Sequence, residues 1–423
     1  MSKRGGTMKL RTLLCAGAAL ATFAVAGQAQ AATIVLVDQG GVTGSAAEQG
    51  FKIAAAYWGA TLSNNITIRL GVGYSALPTG VIGSTSSSTQ SYTVANWEAG
   101  VNATKSNSAT DSSIVLPTLS SSGAAAFITN GPNTASGTGI NTNTLRWDND
   151  TTGTAANNNR FLDLNTANVK AIGGTATYTA ANTQQLDGDV TFSSTFGFDF
   201  NPTDGIKANT FDFIGVAIHE IGHALGFVSG VDTLDYFGAP NGDGATTGNA
   251  YNFNQYSIFS ALDMFRYSSD PTNVAPGTGP ALDLSVGGTK YFSIEGGATA
   301  LYGNTFSTGS YNGDGQQASH WKDATGANAC GPQLGIMDPT FCYAQRGEVT
   351  ALDLAAFDAI GYNLAADARG SNYLMNTAQI YNRFNATAVP EPMTWSLMIL
   401  GFGLVGGVLR RRKTNVTTSV RFA

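Results

Sequence analysis

The chain has 423 residues and a formal net charge of −6, with 22 Lys and Arg against 28 Asp and Glu. Nine of the basic residues lie in residues 1–31 or after residue 389, so residues 32–389 carry 13 basic and 27 acidic side chains. A body this acidic repels polyanions, which argues against a nucleic-acid partner. Charged residues make up only 12% of the chain, where about 25% is ordinary.

Residues 1–31 predict a signal peptide. Basic residues between positions 3 and 11 precede an apolar run over 13–26, and Ala29-Gln30-Ala31 has the small-x-small pattern of a cleavage site. We therefore expect an exported protein whose mature chain begins near Ala32. A transmembrane anchor is the alternative, and the short apolar run disfavours it.

The body over residues 32–388 predicts one domain of the α+β class, because helical and alternating apolar patterns are both present. Residues 46–58 have apolar side chains at three- and four-residue steps, as in a helix, and apolar and polar residues alternate over 66–72, as in a strand. The stretch 80–160 is rich in Ser, Thr, Asn and Gly, which indicates short strands and long loops. The other predicted elements are a helix over 46–58, strands over 66–72 and 190–200, a short helix over 258–267 and a helix over 349–360.

The central helix carries the strongest chemical signal. It is predicted to begin after Asn209 or Thr210 and to run to about Leu225, with Gly226 as its stop. Its apolar residues fall on one side of the helical wheel, so one face packs and the other is free for chemistry.

The motif His219-Glu220-Ile221-Gly222-His223 lies on this helix. Two histidines four residues apart stand about 40° from one another, so both rings can bind a single ion. Glu220 projects beside them and can reach a bound water as a general base without being a ligand. Histidines that only satisfy hydrogen bonds, or a structural zinc, are the alternatives; structural zinc usually takes cysteine-rich coordination.

The motif resembles that of the metzincin zinc proteases, in which two residues, a glycine, two residues and a third ligand follow the second histidine. The chain matches through Gly226 but has Ser229, a poor zinc ligand, at the last position. The leishmanolysin-type branch, in which the third histidine follows a long insertion and precedes a methionine turn, is more similar. The resemblance implies a metzincin-like fold with a twisted sheet, an active-site helix and a loop-rich C-terminal half.

The chain contains residues that match this longer spacing. His320 is its third and last histidine, and Gly335-Ile336-Met337-Asp338-Pro339 follows as a candidate methionine turn, with Met337 under the metal. We expect His320 to be the third ligand of Zn²⁺, because catalytic zinc takes three protein donors, with Asp232 in reserve. Tyr343 is a candidate for oxyanion support by position only.

Cysteines and acidic turns give weaker signals. Cys15 would be lost with the signal peptide, whereas Cys330 and Cys342 would meet an oxidising compartment, which predicts a disulfide across the methionine turn. The Asn-Gly-Asp-Gly sequences at 241–244 and 312–315 are either turns or weak Ca²⁺ loops, and turns are favoured because neither completes an EF-hand.

Residues 389–423 form a second targeting segment. Pro390-Glu391-Pro392 leads into a mostly apolar stretch over 393–409, followed by the basic cluster 410–413. A helix of that length reaches roughly 25 Å, close to the hydrocarbon thickness of a bilayer, and the basic cluster would stay in the cytoplasm. The segment resembles the PEP-CTERM sorting signal, which implies insertion in the inner membrane and processing by an exosortase. A plain C-terminal anchor is the alternative.

Together these features predict a zinc endopeptidase, exported to the cell envelope or medium of a Gram-negative bacterium, that acts on proteins or peptides. The rival hypothesis is a surface adhesin or biofilm matrix protein with a relic zinc site, which the polar composition and the sorting tail favour. Retention of Glu220 argues against a relic, because a structural zinc needs no base. A metal-dependent hydrolase of a non-peptide substrate is a third possibility.

Overall fold

The computed structural model describes residues 31–150, 157–238, 247–269, 276–277, 279–301, 303, 305–323, 330–368 and 372–385. The predicted signal peptide before Ala31, the sorting tail and the 241–244 turn lie outside these residues. The described part is a mixed α+β structure with seven α-helices and several small sheets, which agrees with the predicted class. None of its helices combines the length and the apolar character needed to cross a bilayer.

The helices are α1 Ala46–Thr61, α2 Val94–Thr104, α3 Thr166–Ala171, α4 Phe213–Ala224, α5 Val231–Gly238, α6 Ala351–Ala359 and α7 Thr377–Asn385. The strands are β1 Thr33–Gly40, β2 Thr67–Ser75, β3 Gly83–Ser87, β4 Thr89–Thr93, β5 Phe127–Gly131, β6 Asn141–Asp148, β7 Phe161–Asn165, β8 Gly188–Ser193, β9 Phe198–Asp199, β10 Phe211–Asp212, β11 Arg266–Ser268, β12 Ala281–Leu282, β13 Tyr291–Phe292, β14 Glu348–Thr350 and β15 Leu374–Asn376.

The largest described sheet has the strand order β1-β2-β8-β3. β1 and β2 are parallel and α1 joins them, since a parallel pair needs a crossover connection. β8 continues the parallel sheet, and β3 then pairs with β8 in the antiparallel sense. β3 is therefore the last strand of this sheet, with no strand partner on its outer side among the described residues, and it lines the cleft described below.

Helix α4 lies against this sheet through aromatic side chains. The ring of Phe213 packs 5.1 Å from that of Phe51 on α1 and 4.7 Å from that of Phe192 on β8. Gly50 permits this approach, because a Cβ there would lie 2.3 Å from the Phe213 ring. Trp58 also donates a hydrogen bond from Nε1 to the carbonyl oxygen of Ile218 at 3.0 Å. These contacts fix α4 beside the edge strand.

The start of α4 differs from the prediction. Asn209 has φ +59° and the Thr210 hydroxyl donates to the Lys207 carbonyl, so both residues belong to a turn. The cap is Asp212, whose backbone is extended and whose carboxylate accepts the first free N–H groups of the helix.

Two other predicted elements are also shorter than the sequence pattern indicated. The strand over 190–200 is divided into β8 and β9, because the hydroxyls of Ser193 and Thr195 bond to one another and stabilise a turn. The helix over 258–267 is only a 3₁₀ turn, Leu262–Phe265, followed by β11. There the Asp263 carboxylate accepts from the backbone N–H groups of Ser260 and Gly230 and so opposes a longer helix.

The last predicted helix, over 349–360, corresponds to α6. Val349 lies instead in β14, and the helix begins after Thr350, which forms a capping box with Asp353. Asp353 is fully buried, and its contacts are central to the site.

Candidate metal centre

Both ends of α4 are held by buried polar side chains. At the N-terminus the Asp212 carboxylate accepts from the N–H groups of Ile214 and Gly215, each at 3.1 Å. At the C-terminus the Asn165 amide donates to the His223 carbonyl at 3.1 Å, which satisfies a group that a helix end otherwise leaves free. The helix that carries the motif is therefore fixed in place at both ends.

Gly226 ends the helix in a way that also orients a histidine. Its φ of +114° is readily adopted only by glycine, and it turns the chain so that the Phe227 carbonyl faces back toward α4. The Phe227 oxygen lies 2.7 Å from Nδ1 of His223. Gly226 thus allows the turn that brings the Phe227 carbonyl to His223.

All three histidines are oriented by backbone carbonyls through Nδ1. The pairs are His219 with Ile336 at 2.7 Å, His223 with Phe227 at 2.7 Å and His320 with Gln317 at 3.3 Å. A carbonyl oxygen can only accept, so each Nδ1 carries the proton and each Nε2 presents a lone pair. Burial keeps the rings neutral, since it lowers the pKa of His219 and of His223 to about 4 and that of His320 well below its usual value.

The three Nε2 atoms converge on one point. Nε2 of His223 lies 3.1 Å from that of His219 and 3.2 Å from that of His320, and the third distance is 3.3 Å. Two nitrogens bound to a tetrahedral zinc at about 2.0–2.1 Å would lie about 3.3–3.4 Å apart. Because no proton is available between the three lone pairs, the donor set fits a cation, and its spacing fits zinc.

The three histidines are the one group of His, Cys, Asp and Glu in the described residues whose ligand atoms lie close enough to share an ion. His219 and His320 are only 6% and 8% exposed, so the protein shields both rings from most of the solvent. All three histidines line the cleft described below, so an ion held by them would be reached from that cleft.

Glu220 lies beside the histidines at the edge strand. It is 8% exposed, and the Thr85 hydroxyl of β3 donates to its Oε2 at 2.7 Å. Burial raises the pKa of the Glu220 carboxyl above its ordinary value. Gly83 leaves room for the carboxylate, because a Cβ there would lie 3.0 Å from Oε1. The geometry therefore places a basic oxygen in the cleft with a fixed orientation.

Met337, the methionine of the candidate turn, packs against α4. It is fully buried, and a Cβ on Gly222 would lie 2.6 Å from its sulfur, so the turn touches α4 between the two histidines. The Ile336 carbonyl that orients His219 belongs to the same turn.

Asp353 organises this turn from α6. Its carboxylate accepts from the backbone N–H of Ile336 at 2.9 Å, from that of Met337 at 3.3 Å and from that of Thr350 at 2.7 Å. It also accepts from Nε1 of Trp321, the neighbour of His320, at 2.8 Å. One buried carboxylate thus connects the segments that position two of the three histidines.

Replacing Asp353 with alanine is expected to lower the free energy of unfolding by about 3–4 kcal/mol, because several buried donors lose their acceptor. The Ile336 carbonyl would then lose its fixed position, so zinc affinity should fall as well. Urea unfolding and a zinc titration measure the two effects. The exposed Asp204 provides the control, since Asp204→Ala should stay within about 0.5 kcal/mol. Unchanged stability in Asp353→Ala would contradict this role.

The cleft in front of the histidines has a volume of about 530 Å³. β3 and the segment before it form one wall, α4 forms the floor, and the opposite wall comes from the segments around His320 and Phe341. A strand edge that is unpaired among the described residues, beside a polar cleft, is suited to an extended chain.

Ser229, described above as a poor zinc ligand, and the predicted candidates Asp232 and Tyr343 make other contacts. Ser229 donates its hydroxyl to Asp263 at 2.5 Å and is not among the converging donors. Asp232 lines the cleft, but its carboxylate accepts from the N–H of Ala318 at 2.6 Å and so holds the His320 loop. Tyr343 is 52% exposed, its ring centroid lies 4.4 Å from that of Phe211, and it is not part of the cleft lining.

The predicted disulfide is present, and protein contacts hold the acidic turn at 312–315. Cys330 and Cys342 are bonded, with Cα atoms 5.6 Å apart, and the loop they close contains the methionine turn. Asp314, in the 312–315 turn, accepts from the N–H of Thr308 at 3.0 Å and pairs with Lys322. These contacts support a turn there.

Three residues of the site were not predicted from the sequence: Thr85, Asn165 and Asp353. Thr85 lies in a Ser/Thr-rich stretch with no distinguishing pattern, and Asn165 is distant from α4 in sequence. Asp353 had one usable signal, since Thr350 and Asp353 have the spacing of a capping box. That spacing predicts a helix start but no contact with the methionine turn.

Comparison with known proteins identifies one segment. Residues 388–413 match the PEP-CTERM protein-sorting motif, which overlaps the predicted 389–423 tail. No curated protein matches the chain. No solved structure matches it either. The motif is recognised by exosortase, and it indicates that the chain is exported and associated with the cell envelope of a Gram-negative bacterium.

Proposed function

We propose that this protein is a zinc endopeptidase of the cell envelope with a metzincin-like fold. The observation that carries the proposal is the convergence of three neutral Nε2 atoms at 3.1–3.3 Å from one another, with the Glu220 carboxylate in the same cleft. A donor set of three histidines with an adjacent carboxylate suits hydrolysis by an activated water.

His219, His223 and His320 would hold the metal. Zinc bound there would make a water nucleophilic at neutral pH and polarise the scissile carbonyl. Glu220 accepts the proton of the attacking water and passes it to the leaving amine. The Thr85 hydroxyl donates to Oε2 of Glu220 and so holds the carboxylate at the cleft, where the proton transfer would take place.

The edge strand supports a peptide substrate over other hydrolysable groups. The side of β3 away from β8 has no strand partner among the described residues, and most residues of β3 line the cleft. An extended peptide can pair with such an edge through main-chain hydrogen bonds, which hold it irrespective of sequence. β3 has the sequence Gly-Ser-Thr-Ser-Ser, and these small side chains leave the edge accessible.

The test is a metal-dependence measurement on the purified mature chain. We expect about one zinc per chain and cleavage of casein or a peptide library, lost on dialysis against 1,10-phenanthroline and restored by zinc. Magnesium or calcium should not restore it, because both prefer oxygen ligands. A protein that binds zinc but cleaves no peptide, with Glu220→Ala indistinguishable from wild type, would favour the adhesin hypothesis.

A further inference from the structure

We infer that a row of exposed tyrosines next to the histidine cleft binds the part of a polypeptide substrate that extends beyond the cleft. This tyrosine row begins with Tyr236 on α5 and Tyr311, and it continues to Tyr251 and Tyr256. The inference rests on the peptidase function proposed above. It adds the substrate class, which is unfolded protein segments with apolar side chains.

The tyrosine row is a contiguous surface. Eight large apolar or aromatic side chains are exposed among the described residues, and four of them are these tyrosines, which are 36–49% exposed. The ring centroid of Tyr236 lies 6.1 Å from that of Tyr311, and Tyr251 lies 5.9 Å from Tyr256. Phe237 links the two pairs, at 5.4 Å from Tyr236 and 5.9 Å from Tyr251. Single exposed apolar residues are normal on a protein surface, whereas a contiguous group marks an interaction site.

Helix α5 connects the tyrosine row to the cleft. Asp232, in the first turn of α5, lines the cleft, and Tyr236 follows four residues later on the same face of the helix. Side chains at this spacing begin about 6 Å apart. The chain that follows Tyr311 is a second connection, because it leads to Gln317, which also lines the cleft. The row therefore begins about two residues of extended chain beyond the cleft wall, at about 3.3 Å per residue.

A buried carboxylate holds the two tyrosines nearest the cleft in place. Asp235 of α5 is 1% exposed, and it accepts from the backbone N–H groups of Tyr311 and Asn312, each at 2.8 Å. Gly309 permits this approach, because a Cβ there would lie 2.8 Å from Cγ of Asp235. The turn that carries Tyr311 is thus fixed to the helix that carries Tyr236. A surface that is ordered before binding loses little conformational entropy when the substrate binds.

The chemistry of the tyrosine row indicates an apolar polypeptide segment. A tyrosine ring offers a broad apolar face, and its hydroxyl can donate to or accept from main-chain groups of a substrate. Leucine, phenylalanine and proline side chains would pack against these faces. Folded proteins bury most of their large apolar side chains, so the row would select segments that are unfolded or extended.

A lipid surface is the other partner that exposed tyrosines would fit. Residues 32–389 carry 13 basic and 27 acidic side chains, and a body of that charge is repelled by anionic lipid headgroups. Helices that lie on membranes instead carry Lys and Arg beside their apolar face. The charge of the body and the connection to the cleft therefore favour a polypeptide.

Peptides of two lengths test the inference on the purified mature chain. The short one is a cleaved peptide of about eight residues, roughly 26 Å when extended. The long ones add about six residues, roughly 20 Å, at the amino or the carboxyl end, either with Leu and Pro or with only Gly and Ser. One of the two apolar extensions should lower KM about five- to ten-fold and leave kcat within about two-fold, because the added contacts are the same in the ground and transition states. The Gly and Ser extensions should leave KM unchanged.

Tyr236→Ala and Tyr311→Ala should reduce this gain in KM to less than about two-fold while the short peptide is cleaved as by the wild type. Leu374→Ala is the control, because it removes a side chain that is 56% exposed and lies outside both the cleft lining and the tyrosine row. This variant should keep the full gain. Zinc content should be unchanged in all three variants, since each replaces an exposed side chain.

Three results would overturn the inference. If the short peptide is cleaved but neither apolar extension lowers KM, or the gain persists in both tyrosine variants, the inference falls and the peptidase function stands. If no peptide of either length is cleaved, the proposed function falls and the inference falls with it. Binding of the wild type to vesicles of phosphatidylethanolamine and phosphatidylglycerol that is lost in Tyr236→Ala, with KM unchanged, would assign the row to a lipid surface instead.

Discussion

Glu220→Gln is expected to lower kcat/KM for peptide hydrolysis by about 10³-fold while the protein still binds one zinc, since general-base catalysis contributes about 10²–10⁴-fold. Glutamine keeps the shape of the side chain and its hydrogen bond from Thr85, but it cannot accept the proton of the attacking water. The loss should therefore appear mainly in kcat. Steady-state assays on a fluorogenic peptide and metal analysis of the same sample measure both quantities.

A second glutamate provides the control for this experiment. Glu98 on α2 is partly buried, and burial raises the pKa of its carboxyl to about 7, but it does not line the cleft. Glu98→Gln should leave kcat/KM within about two-fold of wild type, as expected for a change remote from the reacting groups. If Glu220→Gln and Glu98→Gln were equally active, Glu220 would not be the base.

His320→Ala is expected to remove both zinc and activity. The variant leaves two protein donors, and catalytic zinc sites use three. Metal content after dialysis should fall from about one equivalent to near zero, and added zinc should not restore full activity.

Ser229→Ala is the matched control for His320→Ala, because Ser229 occupies the ligand position of the shorter metzincin motif. Its hydroxyl bonds to Asp263, so the variant should lose about 1–2 kcal/mol of stability but keep its zinc. A Ser229→Ala protein without zinc, or a His320→Ala protein with a full equivalent, would show that the third donor has been assigned to the wrong residue.

The helical motif could be predicted from the sequence because the residues that define it lie close together in the chain. The spacing of His219 and His223 sets the angle between their side chains, and Gly226 marks the end of the helix, so neither depends on distant contacts. His320 was predicted from the resemblance to the leishmanolysin-type spacing, because it is the one further histidine of the chain and precedes the candidate methionine turn. The structure brings it to within 3.3 Å of His219 across 101 residues of sequence.

Long-range features of the site were beyond single-sequence reasoning. β3 pairs with β8, about a hundred residues later, and its Ser- and Thr-rich sequence does not specify that partner. Asp353 lies within a predicted helix, but nothing in the local pattern shows that its carboxylate accepts hydrogen bonds from the methionine turn. α5 was also missed, since an eight-residue helix in a loop-rich region gives a weak periodic signal.

Zinc-edge X-ray absorption on the purified mature chain tests the central claim most directly. The account predicts one zinc per chain with three imidazole nitrogens at about 2.0–2.1 Å, no sulfur neighbour, and a lower imidazole count in His320→Ala. A zinc with sulfur ligands, a spectrum that His320→Ala leaves unchanged, or a protein that binds no zinc would contradict it.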